Sequence, residues 1–82
     1  MIQLTVKDIL NRVTEIKFTI KLLGCSGTFQ EAFQEKMEKI GRTVCEENNL
    51  KYGKLGAISL ETKLGEKSTL LLEELCEWFE TQ

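Results

Sequence analysis

From Thr5 to Leu23 the apolar residues fall at Val6, Ile9, Val13, Ile16, Ile20 and Leu23, in steps of three and four. That spacing lays them along one stripe of an α-helix and predicts a helix whose stripe packs against another helix. Thr5 stands where an N-cap is needed, and Asp8, three residues on, can reach back to it as a variant capping box. Leu4 and Ile9 flank the cap as a hydrophobic staple, and Gly24 is placed for a left-handed C-terminal cap.

A second rhythm runs through the same stretch. Thr14, Ile16, Phe18, Ile20 and Leu22 alternate with Glu15, Lys17, Thr19 and Lys21, which is the period of a half-buried strand. The helix is preferred because no turn residue interrupts Thr5 to Leu23.

After the connector Cys25-Ser26-Gly27, Thr28 and Glu31 have the spacing of a capping box, and Phe33, Met37, Ile40 and Val44 step by four, three and four. Phe29 and Ala32 extend that face. Glu35 with Lys39, and Glu38 with Arg42, are placed as i,i+4 ion pairs on the wet side. Asn48-Asn49 can end the helix in a left-handed conformation.

Leu50 to Lys67 is looser, punctuated by Gly53, Gly56 and Gly65, and its tail alternates at Ile58, Leu60, Thr62 and Leu64. A structureless loop of this length is unusual in a compact domain, so a short strand or a helical turn is expected within it. Ser68 is positioned to cap a last helix reaching about Glu80. Leu71, Leu72, Leu75, Trp78 and Phe79 form its stripe, widened by Leu70 and Cys76, with Glu73, Glu74, Glu77 and Glu80 opposite.

The expected fold is therefore all-α, a single helical domain over residues 1–82. Helices at about 5–23 and 28–48 form an antiparallel hairpin because their connector is short, and a C-terminal helix at about 68–80 packs across it. The alternative is α+β, with strands near 14–22 and 57–64. Two strands alone are marginal, so that version would pair them between protomers.

Composition narrows the chemistry. The chain has 82 residues and no histidine, which removes the commonest general base and metal ligand. It also has no proline, so nothing forces a break in a helix. Cys25, Cys45 and Cys76 are widely spaced with no CxxC pair, a pattern that suits packing thiols in a reducing compartment rather than a disulfide or zinc site. No glycine-rich phosphate loop is present, since Gly53-Lys54-Leu55-Gly56 does not follow the required order. No catalytic, cofactor-binding or metal site is expected, and the chain reads as non-enzymatic.

A net charge of −2 gives no bulk steering toward nucleic acid. No apolar run is long enough to span a bilayer, and Met1-Ile2-Gln3-Leu4 lacks the regions of a signal peptide, so a cytoplasmic address is the expectation. The size and make-up are of a kind common among mobile genetic elements, with no motif to carry that assignment.

Apolar residues exceed what one stripe per helix accounts for. Phe18 and Leu22 fall nearly opposite the stripe of the first helix, and the last helix ends in Trp78-Phe79. These four are the candidate interaction residues. They point to a protein–protein interaction module, an adaptor, inhibitor or assembly subunit, that binds a protein partner and self-associates as a homodimer or homo-oligomer. The alternative is a small dimeric transcriptional regulator that touches DNA through the segment 51–67, with Lys51, Lys54, Lys63 and Lys67 as its contacts.

Overall fold

A computed structural model of the chain describes residues 3–53 and 58–81. Three helices occupy it: α1 over Val6–Leu23, α2 over Gly27–Glu47 and α3 over Glu66–Glu80. Among the described residues there is no strand, and the class is all-α.

The period-2 reading of 14–22 fails because α1 runs through it without a break. Coiled as a helix, that segment adds Ile16 and Ile20 to the buried face already carrying Val6, Ile9 and Val13. As a strand it would bury only its alternate residues and would need a partner strand. The other half of the α+β alternative, 57–64, forms a single antiparallel bridge between Thr5 and Lys63 and no ladder, with Ala57 outside the described residues.

The stripe of α1 stops one residue short of its expected end. Leu23, the last residue of the helix, is 70% exposed. Gly24 then turns the chain at φ 62°, a conformation that favours glycine. The start of α2 also moves. The N-cap is Ser26, whose Oγ accepts from the Phe29 amide at 3.3 Å, so the Thr28–Glu31 box is not used. Asn49 does take the left-handed conformation (φ 56°), and the amides of Asn49 and Leu50 return to the carbonyls of Glu46 and Cys45. Neither expected ion pair on α2 forms, and Arg42 lies over the Tyr52 ring at 5.0 Å instead.

The core gathers the α1 stripe with Phe33, Ile40 and Val44 of α2, Leu64 of the connector, and Leu72 and Leu75 of α3. Cys45 is fully buried at its edge, as a small apolar side chain. The closest backbone packing between helices is that of α2 with α3.

The connector before α3 caps α1. The first amides of α1, which have no partner within the helix, donate to it: Val6 to the Thr62 carbonyl and Lys7 to that of Leu60, both at 3.0 Å. The Leu64 amide donates in return to the Leu4 carbonyl at 2.9 Å. Ser68 is not the cap of α3. The helix begins two residues earlier, with Gly65 at the N-cap, and the amide of Ser68 donates to the Glu47 carboxylate from the end of α2.

Candidate docking surface

The four residues singled out for interaction do not come together. Phe18 and Leu22 are 62% and 70% exposed on the face of α1 turned away from the core. Trp78 and Phe79 are half-buried and belong to an aromatic cluster between α2 and α3. Phe29 stacks on Trp78 with centroids 4.8 Å apart, and meets Phe79 edge-on at 6.1 Å. Lys36 Nζ lies 5.2 Å from the Trp78 ring centroid, a cation–π contact.

A second apolar surface was not singled out from the sequence. Leu10, Tyr52 and Leu60 are each about half exposed, and all three line one groove of about 470 Å³ between α1, α2 and the connector. Its floor is the core itself, at Ile9, Ile40 and Val44, and Gln34 and Glu38 stand among its walls. Leu10 belongs equally to the exposed face of α1, so groove and face meet at this residue. The sequence signal was available: Leu10 lies off the heptad stripe, four residues before Thr14 and eight before Phe18. Tyr52 carried no such signal, and Leu60 fell within the period-2 alternation of 58–64, which pointed to a strand and not to a groove wall.

Between α1 and α3 lies a different cleft, of about 590 Å³, bordered by Asp8, Glu15, Glu73, Glu77 and Glu80. Arg12 stands among these acids and binds Glu15 at 3.2 Å. Asp8 is held below the usual carboxylate range by hydrogen bonds from the Thr5 amide and hydroxyl, so its charge serves the helix cap. Cys76 borders the same cleft, and burial pushes its thiol upward, away from the reactive thiolate. Among the described residues no group of three or more His, Cys, Asp or Glu is placed to hold a metal ion.

Three of the four lysines considered for nucleic acid fall among the described residues. Lys51 follows α2, Lys63 sits in the bridge to Thr5, and Lys67 belongs to the first turn of α3, all exposed. Lys54 lies outside the described residues. Among the described residues no helix is long and apolar enough to cross a membrane. The chain matches no family model, no curated protein and no solved structure.

Proposed function

We propose that this chain is a non-enzymatic protein–protein interaction module, an adaptor, inhibitor or assembly subunit, that binds through apolar helix faces and self-associates. In this reading α1 and α2 act as an antiparallel helical hairpin with α3 packed across it. The observation that carries it is the convergence of Leu10, Tyr52 and Leu60 on one groove. Single exposed apolar residues are ordinary, but several lining one concavity whose floor is the core mark a binding surface. A groove with an apolar floor and a polar edge at Gln34 and Glu38 suits an amphipathic helix or an extended apolar segment of a protein partner.

Site-specific photo-crosslinking in the native cell tests this. A photoreactive residue at Leu60 should give discrete protein adducts, and one at Glu74 on the wet face of α3 should not. Equal labelling at both positions, or none at Leu60, would refute the reading.

A further inference from the structure

The connector wall of the groove is hydrogen-bonded to the fold at one place. Among the described residues, every hydrogen bond that joins 58–64 to the rest of the chain ends on the start of α1. The amides of Val6 and Lys7 donate to the carbonyls of Thr62 and Leu60, and the Leu64 amide donates to that of Leu4. The other bonds, from the Thr62 amide to the Ser59 carbonyl and from the Glu61 amide to Ser59 Oγ, stay within the segment. Packing anchors Leu64 in the core, whereas Leu60 is half exposed. Leu60 therefore joins two features, since its side chain borders the groove and its carbonyl caps α1.

The start of α1 is in turn held by Asp8. Its Oδ2 accepts from the Thr5 amide at 2.6 Å and from the Thr5 hydroxyl at 2.9 Å. Thr5 is kept extended, at φ −123° and ψ 171°. That one conformation serves both neighbours. An N-cap residue lies outside the helical region so that the helix can begin after it, and extended backbone is what pairs antiparallel with Lys63. Without the carboxylate the first turn is free to fray, and the Val6 and Lys7 amides lose their fixed direction. Asp8 itself does not border the groove. It lines the cleft between α1 and α3, while Val6, Ile9 and Leu10 of the same helix line the groove.

We infer that Asp8 is a positioning residue of the groove: through Thr5 and its pairing with Lys63, the carboxylate fixes Leu60 as the wall on which a partner docks. The function of that wall rests on the groove reading above, and its geometry rests on the hydrogen bonds alone. The floor at Ile9, Ile40 and Val44 belongs to the core and does not depend on the cap. The wall does. A partner seated against Leu60 and the capping box of α1 therefore stabilise each other, and by linkage whatever loosens one weakens the other.

Methyl and amide NMR of the purified chain tests this with Asp8→Ala, Asp8→Asn, Asp8→Glu and Glu47→Ala, each shown by a circular dichroism melt to be folded. Asp8→Ala should move the Leu60 methyl resonances toward their random-coil positions and leave those of Leu72 and Leu75 in place. It should also speed exchange of the Leu64 amide by roughly fivefold, the scale of a lost capping side chain. Asp8→Glu should restore both, because glutamate completes the same box from the same position. Glu47→Ala loosens the fold at α3 instead, and should leave Leu60 unmoved. Asp8→Asn keeps one acceptor without the charge, so its response should be smaller and of the same sign, and it carries the test if Asp8→Ala does not fold. In the native cell, photo-adducts at Leu60 should fall roughly fivefold with Asp8→Ala and return with Asp8→Glu.

Leu60 resonances unmoved in both Asp8→Ala and Asp8→Asn, or moved as far by Glu47→Ala, would overturn the inference. Adducts at Leu60 indifferent to Asp8→Ala would also overturn it. A wall that follows Asp8 while no form of the chain gives adducts at Leu60 would uphold the positioning role and refute the groove reading instead.

Discussion

The carboxylate of Glu47, at the end of α2, accepts hydrogen bonds from both the amide and the hydroxyl of Ser68, twenty-one residues later in the first turn of α3. Ser68 is wholly buried, so neither donor has water as a substitute. Glu47 thereby does for α3 what an N-cap side chain does elsewhere, and its negative charge faces the positive end of the helix. The N-cap position itself is Gly65, and a Cβ there would overlap the Glu47 carboxylate.

This relationship predicts a non-additive pair. Glu47→Ala strands two buried donors and should cost about 1–3 kcal/mol. Gly65→Ala should also destabilise, by driving Glu47 out of its place. The double variant should cost clearly less than the sum, because without the carboxylate the new methyl meets nothing that must move. Urea denaturation of the four proteins checks it, and strict additivity would mean that Glu47 and Gly65 do not share that space.

The same contact shows what the sequence could convey and what it could not. The stripes of α1 and α2 and the ends at Gly24 and Asn49 are local patterns, and they were legible. Serine before an apolar run has the local meaning of a cap, and Ser68 fits that pattern. Its actual partner comes from another helix, and no local rule supplies that. Thr28 lost to Ser26 for a smaller reason, since two capping residues stand two apart and both fit. The connector could not be read, because its order comes from bonds to Leu4, Val6 and Lys7 across the fold. In the candidate surface, Phe18 and Leu22 were legible as residues off the helical stripe. The groove required knowing where Tyr52 and Leu60 lie.

The connector carbonyls should leave a signature in hydrogen exchange. First-turn amides ordinarily exchange fast, yet Val6 and Lys7 donate to Thr62 and Leu60, and Ser68 donates to Glu47. Their exchange should be markedly slower than that of Thr28, on the exposed first turn of α2. Comparable rates at all four would mean that the connector does not hold α1.

Acid should act on the α1 cap. The bonds from Thr5 hold the Asp8 carboxyl below its ordinary range. A group depressed in the folded state contributes stability that is present above its unfolded pKa, near 3.9, and lost as pH falls through the lower folded value. Thr5→Ala removes the hydroxyl donor and should move the Asp8 titration upward, although the larger backbone contribution stays. Carboxyl chemical shifts followed against pH check this, and an unmoved Asp8 would remove the hydroxyl from the account.

Core and surface should separate cleanly under substitution. Ile40 is 2% exposed in the middle of α2, and Ile40→Asp should unfold the domain by burying an unpaired charge. Phe18→Ser should change monomer stability by no more than about 0.5 kcal/mol, as at other exposed positions. A folded Ile40→Asp variant, or a Phe18→Ser variant that melts like a core mutant, would contradict the placement of these helices.

The self-association proposed for this chain is the claim most open to direct test. Light scattering on a sizing column, at low and at high salt, tests it most directly. The account predicts a mass near twice the 9.4 kDa of the chain at high loading, little changed by salt, because apolar burial and not charge carries the contact. A 9.4 kDa species at every loading and in both salts would contradict it.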